Sequence, residues 1–243
     1  MPFSHIAPRP VVLFDLDGTL LPMDMKDFER AYFRTLCAAV RDLPPEELVR
    51  CVWAGTRAMA ANDGSRTNRE AFAAVFSRES GLDFLANEER FLEYYRTGFQ
   101  ACRDVCRVTP VSREIVEMLR RKGYTAAVAT NPIFPRCATE SRLRWLGLAP
   151  EDFALVTTYD DFSFAKPSLD YYREVCRRLD VRPEDCVMVG NDVEEDGCAQ
   201  ALGMEVLLVS DCLLNARDLP ISGFAMGALA DVHTWASALP ARA

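Results

Sequence analysis

A pair of aspartates directly after a short apolar run is the feature of this sequence with the clearest chemistry. Asp15 and Asp17 follow the run Val-Val-Leu-Phe at 11–14, and Gly18 and Thr19 come next. Because side chains of an extended chain alternate between two faces, the two aspartates share one side where a strand over 11–14 ends. Carboxylates this close repel each other unless a cation or a proton lies between them. The pattern predicts a metal and phosphate site, with an ordinary acidic turn as the alternative.

Further polar residues follow two later apolar runs. Thr130 and Asn131 come at the end of the run that begins at residue 124, where a hydroxyl and the amides of a turn can hydrogen-bond a phosphoryl oxygen. Lys166 follows the run 153–159 after a loop, and its ammonium can neutralise a bound phosphate. The alternatives are a β-branched residue that simply ends a strand, for Thr130, and a solvated surface lysine, for Lys166.

An acidic cluster follows a fourth apolar run, at 186–189. It begins with Asn191 and Asp192 and ends with Asp196. Carboxylate and amide oxygens are the ligands that a hard cation such as Mg²⁺ prefers. The alternative is that acidic residues in the first turn of a helix interact with the helix dipole. All four groups of polar residues follow apolar runs of one predicted sheet, which favours a common site.

The apolar runs are predicted to be strands of a parallel sheet. Their positions are 11–14, 124–130, 153–159, 186–190 and 205–210. They are apolar throughout rather than alternating, as is typical of parallel strands covered on both faces. From about residue 108 they alternate with segments of helical periodicity, and a short helix is expected over 232–239. We therefore predict an α/β fold with a doubly wound, Rossmann-like parallel sheet as its core.

Residues 22–107 have a different pattern. They contain no convincing strand, and their apolar residues recur at helical spacing, as in Phe28 and Tyr32. We predict an all-helical cap domain over 22–107, inserted into an α/β core formed by 1–21 and 108–243. An insertion after the first strand lies over the carboxyl edge of the sheet, where open α/β sheets bind ligands.

Composition limits the classes of partner. The formal net charge of −8 argues against a nucleic-acid partner or an anionic membrane surface, each of which needs a basic face. No apolar stretch is long enough to span a membrane. The nine cysteines form no Cys-x-x-Cys pair, which indicates reduced thiols and a cytoplasmic protein.

With these residues in view, the sequence resembles the haloacid dehalogenase superfamily of hydrolases over essentially its whole length. The first motif of that superfamily, Asp-x-Asp-x-Thr, is matched by Asp15, Asp17 and Thr19. The second, a Ser or Thr after an apolar strand, is matched by Thr130, and the third, a lysine often followed by proline, by Lys166. The helical segment matches the cap that many members insert after the first motif.

The fourth motif departs from the common pattern. The superfamily usually has Gly-Asp where this chain has Gly190-Asn191-Asp192. Either Asp192 takes over as the metal ligand, which is the interpretation we favour, or Asn191 binds the metal through its amide oxygen. Asp196 is then expected to orient the groups around the metal.

The resemblance implies a phosphoric monoester hydrolase. Asp15 would attack phosphorus and form an aspartyl-phosphate, while Asp17 would protonate the leaving group and then activate water. Thr130, Asn131 and Lys166 would bind the phosphate. The implied cofactor is Mg²⁺, held by Asp15, by the backbone carbonyl of Asp17 and by the fourth motif. Dehalogenases of the superfamily lack an aspartate at position 17, which favours a phosphatase.

The implied substrate is a small phosphorylated metabolite, such as a sugar phosphate, phosphoglycolate or a nucleoside monophosphate. Several cap arginines could bind a second anionic group, among them Arg30, Arg34, Arg57, Arg66 and Arg69. Most of them are expected to be solvated surface residues, so none is named as a site. We expect a monomer or a small homo-oligomer.

Three alternatives remain at this point. A phosphomutase of the same superfamily, similar to β-phosphoglucomutase, would share every core residue. A non-catalytic metabolite-binding member would keep the fold without turnover. A signalling receiver domain also combines acidic residues, a threonine and a lysine, but it is about half this length and lacks the helical insertion.

Overall fold

Five parallel strands form one sheet at the centre of the molecule. The computed structural model describes residues 2–242. The strands are β1 (Val11–Phe14), β2 (Thr125–Val128), β3 (Cys186–Gly190), β4 (Glu205–Val209) and β5 (Ala225–Gly227). They pair in the order β2-β1-β3-β4-β5, and every pairing is parallel.

Residues 2–242 contain eight α-helices. They are α1 (Met25–Ala39), α2 (Pro45–Ala60), α3 (Asn68–Ser80), α4 (Phe84–Arg96), α5 (Pro110–Arg121), α6 (Arg136–Trp145), α7 (Leu169–Leu179) and α8 (Leu229–Ala238). Short 3₁₀ segments complete the chain, the longest of them at Gly98–Val105.

Helices cover both faces of the sheet because β1 is apolar on both. Val12 and Phe14 join a buried cluster that includes Ile115 of α5, whereas Leu13 joins a second cluster that includes Tyr172 of α7. Alternate residues of one strand therefore pack against helices on opposite sides. This arrangement confirms the predicted doubly wound α/β fold.

The register of the sheet brings three strand ends together. Phe14 at the end of β1 lies beside Val128 of β2 on one side and Val189 of β3 on the other. The residues that follow these positions leave the sheet at the same edge, and they include Asp15 and Thr130. The polar residues predicted to act together are thus placed together by the parallel pairing.

The chain between β1 and α5 is helical, as its periodicity indicates. It contains α1 to α4 and the 3₁₀ segment Gly98–Val105. Its entry and exit run side by side, because the backbone N–H of Arg107 donates to the carbonyl of Pro22 at 2.8 Å. Asn68, at the start of α3, is buried and donates through Nδ2 to the carbonyls of Pro132 (3.2 Å) and Phe164 (3.1 Å). These bonds tie the helical segment to loops of the sheet domain.

Two sequence expectations need correction. The segment 153–159 is not a strand: it runs beside β2 and makes a single bridge, between Val128 and Val156. The edge strand β5 was not predicted, because its sequence Ala-Met-Gly lacks an apolar run. The expected helix over 232–239 is confirmed as α8. Within residues 2–242, no helix is both long enough and apolar enough to cross a bilayer.

Candidate active site

A cavity of about 160 Å³ opens at the edge where β1, β2 and β3 end. We call it the strand-edge pocket. Its polar lining residues are Asp15, Asp17, Thr130, Asn131, Asn191, Asp192, Glu195 and Asp196. Its apolar lining residues are Met25, Ile133, Phe134 and Leu214. The parallel register therefore brings together nearly all of the site residues predicted from the sequence.

Lys166 lies beneath this pocket, where its side chain is fully buried. Its Nζ donates to Oδ1 of Asp15 at 2.9 Å and to Oδ1 of Asp196 at 2.6 Å. A buried ammonium between two carboxylates is compensated by charge as well as by hydrogen bonds. Lys166 is therefore not a solvated surface lysine, and it supplies positive charge directly below Asp15.

Burial and neighbouring charges shift the pKa values of Asp15 and Lys166. The pKa of Asp15 is raised to about 7, mainly because the group is buried; Lys166 opposes the shift, and the charges of Asp196 and Asp17 add to it. Burial opposes the charged form of Lys166, but the carboxylates of Asp15 and Asp196 raise its pKa well above the usual value. The site therefore contains more buried negative charge than its own lysine balances, so it favours an added cation.

The turn after β1 depends on a close approach between two loops. Gly18 has a φ of 89°, in the left-handed region, and a Cβ at this position would collide with the side chain of Asn191. The Oγ1 of Thr19 lies 2.9 Å from Oδ1 of Asn191 and 3.3 Å from Oδ2 of Asp15. The hydroxyl of Thr19 thus links the first motif to the loop after β3.

Hydrogen bonds from other loops and from α7 fix the residues after β2. The carbonyl of Thr130 accepts hydrogen bonds from Oγ1 of Thr157 at 2.7 Å and from the hydroxyl of Tyr171 at 2.8 Å. Asn131 donates through Nδ2 to Oε1 of Glu195 at 3.0 Å, and its Oδ1 accepts from the backbone N–H of Lys166 at 3.3 Å. Asn131 therefore connects the β2 loop to the loops that contain Lys166 and Glu195.

The acidic loop after β3 uses several of its oxygens internally. Oδ1 of Asp192 accepts from the backbone N–H groups of Glu194 and Glu195, both at 2.8 Å. Oδ2 of Asp196 accepts from the backbone N–H of Asp192 at 2.9 Å, and Asn191 donates through Nδ2 to the carbonyl of Cys212 at 2.7 Å. Asp192 and Asn191 both line the strand-edge pocket, and each has one side-chain oxygen already hydrogen-bonded.

Burial also dominates the ionisation of this loop. It raises the pKa of Glu195 to about 8, with Lys166 opposing and Asp196 adding to the shift. It raises the pKa of Asp192 as well, while the backbone N–H groups of Glu195 and Glu194 lower it. Both shifts reflect carboxylates that crowd one partly enclosed space.

Arg142 is a site residue that sequence reasoning missed. This arginine of α6 is completely buried, and its guanidinium donates to Oδ2 of Asp17 and to Oγ1 of Thr139. The guanidinium carbon lies 4.5 Å from the ring centre of Phe134. Burial raises the pKa of Asp17, and Arg142 opposes that shift. The two aspartates of the first motif therefore have separate cations, Lys166 for Asp15 and Arg142 for Asp17.

The oxygen atoms of this pocket suit a hard divalent cation. Within residues 2–242, no three His, Cys, Asp or Glu side chains already surround a common metal position. Among the same residues, however, Oδ1 of Asp17 is buried without a hydrogen-bond partner. The candidate ligands also include a backbone carbonyl and an amide, and all are oxygens. An orphaned carboxylate oxygen beside raised carboxyl pKa values fits a site that takes up Mg²⁺.

Two curated relatives have similar sequences. A glyceraldehyde 3-phosphate phosphatase of Methanothermobacter thermautotrophicus is 29% identical over 213 residues, which cover 85% of this chain and 88% of that protein. A bifunctional riboflavin kinase/FMN phosphatase of Arabidopsis thaliana is 26% identical over 200 residues. That match covers 82% of this chain but only 48% of the plant protein, so the chain spans about half of its length.

A solved structure has a similar fold. CbbY from Rhodobacter sphaeroides, in complex with xylulose-(1,5)bisphosphate, superposes with a TM-score of 0.61 at 22% identity, and the match covers 92% of this chain and 96% of that one. The family model of the haloacid dehalogenase-like hydrolases matches residues 10–203, a range that includes all four polar loops of the strand-edge pocket. This chain therefore belongs to the haloacid dehalogenase-like hydrolase family.

Proposed function

We propose that the protein is a Mg²⁺-dependent phosphatase that hydrolyses a small phosphorylated metabolite through an aspartyl-phosphate on Asp15. The observation that supports this most directly is the placement of Asp15. It follows the interior strand β1, lines the strand-edge pocket and accepts a hydrogen bond from the buried ammonium of Lys166 at 2.9 Å. The phosphatase names of the two curated relatives agree with this chemistry.

In the first step, a carboxylate oxygen of Asp15 attacks phosphorus and the bond from phosphorus to the leaving oxygen breaks. Asp17, in its protonated form, gives its proton to the leaving alkoxide. Two observations support these separate roles. Asp15 and Asp17 both line the strand-edge pocket, and the pKa of Asp17 is raised.

In the second step, water attacks the aspartyl-phosphate at phosphorus. The carboxylate of Asp17 now accepts the proton of that water, and the bond between Asp15 and phosphorus breaks, returning the electron pair to Asp15. Arg142 bonds Oδ2 of Asp17 and thereby fixes the orientation of this carboxyl group in both steps. We therefore propose Arg142 as a positioning residue.

Thr130, Asn131 and Lys166 would hold the transferring group. Their positions support this role, because Thr130 and Asn131 line the pocket and Lys166 lies directly beneath Asp15. Asp196 accepts from Lys166 at 2.6 Å and so orients its ammonium. Preorganised charge of this kind stabilises the transition state of phosphoryl transfer.

The residues that would hold Mg²⁺ are Asp15, Asp17 through its backbone carbonyl, and Asp192. Asn191 is the alternative to Asp192, and Asp196 would order the surrounding groups. When bound, the ion would supply positive charge that lessens the repulsion between Asp15 and the phosphate. The orphaned Oδ1 of Asp17 and the raised pKa of Asp192 support a cation in this pocket.

We further propose that residues 22–107 act as a cap over a core formed by 1–21 and 108–243. The adjacent entry and exit, joined by the hydrogen bond from Arg107 to Pro22, support this division. A cytoplasmic location is also proposed, and the nine free cysteines support it because they suit a reducing compartment.

The test is phosphate release from a panel of small phosphate esters, with Mg²⁺ and with excess chelator. We expect release that requires the metal and falls at least ~10³-fold in Asp15→Asn, because the nucleophile is removed. The matched control is Asp170→Asn, an exposed aspartate of α7, which should retain full activity.

The other outcomes separate the alternatives. Release that persists in Asp15→Asn would exclude Asp15 as the nucleophile. Little net release together with dependence on a bisphosphate activator would indicate a phosphomutase. A folded protein that binds esters without turnover would indicate a non-catalytic member of the family.

A further inference from the structure

A second cavity, of about 110 Å³, lies inside the helical segment. We call it the cap cavity. Helices α1, α2, α3 and α4 and the loop after β2 all contribute to its wall. Most of that wall is apolar and includes Phe28, Leu36, Val52 and Phe72, all of them buried.

The cap cavity adjoins the strand-edge pocket. Met25, Ile133 and Phe134 line both spaces, so the two cavities meet at this layer of side chains. A phosphate ester bound at Asp15 has its leaving group on the side away from the nucleophile, as in-line displacement requires. Such a leaving group can enter the cap cavity, which is the more apolar of two spaces that share wall residues with the strand-edge pocket.

The charges around the cap cavity exclude a second anionic group. Its one charged lining residue is Glu29, which is exposed, and no lysine or arginine lines it within the described chain. None of the cap arginines named as candidates from the sequence lines either space. Arg69, for example, is paired with Glu88 instead. A carboxylate or a second phosphate in the cap cavity would therefore be buried without a partner.

The hydroxyl groups of the wall already have hydrogen-bond partners. The hydroxyls of Tyr32 and Tyr95 hydrogen-bond each other at 2.9 Å, and Oγ1 of Thr56 donates to the carbonyl of Val52 at 3.0 Å. A sugar-like leaving group with several hydroxyls would find few free partners and would lose its hydrogen bonds to water. An apolar group would gain from leaving water without that loss.

We propose that the leaving group of the substrate is a short, uncharged, apolar alcohol that occupies the cap cavity. This inference rests on the proposed phosphatase function and names its substrate class. The cavity is smaller than the roughly 150 Å³ that holds benzene in a protein core, so it matches a short alkyl chain.

The test is a homologous series of primary alkyl phosphates from ethyl to butyl, compared with phosphoglycolate. The leaving alcohols of the alkyl series have similar acidity, so kcat/KM reports on binding of the chain. Each buried methylene is worth about a fourfold gain, and we expect kcat/KM to rise by about that factor per carbon. We expect phosphoglycolate to be hydrolysed more slowly than butyl phosphate, because its carboxylate has no partner.

Thr56→Phe fills the cap cavity from α2 and should flatten this series. Ala60→Phe, at an exposed position of the same helix, is the matched control and should keep the slope. If Thr56→Phe does not fold, inhibition of the wild type by butylphosphonate and by carboxymethylphosphonate tests the same preference, and butylphosphonate should bind more tightly.

The possible failures are distinct. An alkyl series without slope, or faster hydrolysis of phosphoglycolate than of butyl phosphate, would overturn the apolar leaving group while the phosphatase proposal stands. If no ester releases phosphate in an Asp15-dependent way, the proposed function is wrong, and this inference is wrong with it.

Discussion

The strand-edge pocket and the cap cavity share three wall residues but are built in opposite ways. In the strand-edge pocket, buried charges compensate one another, as in the contacts of Lys166 with Asp15 and Asp196. In the helical segment, aromatic rings pack face to edge, as Phe72 does against Phe84 at 5.0 Å between ring centres. The difference fits the two proposals, in which the strand edge acts on the phosphate and the cap cavity binds the leaving group attached to it.

Removing Lys166 should have the largest effect on the charged side of this comparison. Lys166→Met leaves Asp15 and Asp196 close together without their common cation, and it removes positive charge from the transferring phosphate. We expect kcat/KM for every ester to fall by about 10³-fold, with the slope of the alkyl series unchanged. Steady-state phosphate release across the series measures both quantities.

Lys122→Met is the matched control for this change. Lys122 also donates three hydrogen bonds, but to the carbonyls of Ala236, Ser237 and Leu239 near the end of α8. We expect its loss to lower the free energy of unfolding by about 1–2 kcal/mol and to leave kcat/KM unchanged. Equal losses of activity in the two lysine variants would show that stability, rather than the charge beneath Asp15, accounts for the effect.

Substituting Arg142 should have the next largest effect on activity, again through the charges of the strand-edge pocket. Arg142→Met releases the carboxyl group of Asp17, and we expect kcat to fall about 100-fold with little change in KM, because misplacement of an acid–base group acts on the chemical step. Arg142→Lys should restore part of the activity, since its ammonium keeps the positive charge beside Asp17 but lacks the two separate nitrogens with which Arg142 bonds Asp17 and Thr139. Arg144→Met, at an exposed position of the same helix, should behave as the wild type.

Stability separates a positioning role of Arg142 from a purely structural one. Arg142→Met leaves a buried carboxylate without its cation and should lower the free energy of unfolding by about 3 kcal/mol. The double variant with Asp17→Asn should regain much of that stability, as measured by chemical denaturation, yet remain inactive. Recovery of activity together with stability would contradict the role assigned to Asp17.

Arg142 also illustrates why sequence predicted one region better than the other. The strand ends were predictable because parallel pairing gathers the residues after β1, β2 and β3, and each polar group is local in the chain, as Asp15 and Asp17 are. Arg142 lies on a helix among other charged residues, and nothing in that pattern distinguishes it from an exposed arginine. Its burial follows only from how α6 packs against α4 and the 3₁₀ segment Gly98–Val105.

The cap cavity was beyond prediction for a related reason. Its wall combines residues from four helices and two loops that are distant in the chain, so no motif of fixed spacing encodes it. The sequence correctly indicated helices over 22–107 from their periodicity, but the arginines that it suggested for a second anionic group line neither cavity. Similarly, 153–159 was apolar enough to suggest a strand, although only a single bridge at Val156 forms beside β2.

Substituting Phe134, which lies where the two cavities meet, should have a smaller effect on activity. Its ring packs against the guanidinium of Arg142 at 4.5 Å and lines both spaces. Phe134→Leu should lower kcat about fivefold through Arg142 and should also weaken the preference for longer alkyl chains. Phe33→Leu, which alters the cap cavity only, should weaken the chain-length preference without changing kcat for ethyl phosphate. Identical effects of the two variants would contradict a shared wall at Phe134.

The smallest effect is expected from ionic strength, which should change product inhibition differently at the two cavities of the unsubstituted protein. Inorganic phosphate, as a product inhibitor, binds through charge at the strand edge, so raising the salt concentration from low to about 0.5 M should weaken its inhibition about threefold. The shift is modest because the charges of Lys166 and Asp196 are buried and therefore poorly screened.

Butanol, as the second product, would bind in the cap cavity without any charge, and added salt should leave its inhibition constant unchanged or slightly lower. If salt weakens inhibition by butanol as much as inhibition by phosphate, the alcohol does not bind in an apolar space, and the division between the two regions fails.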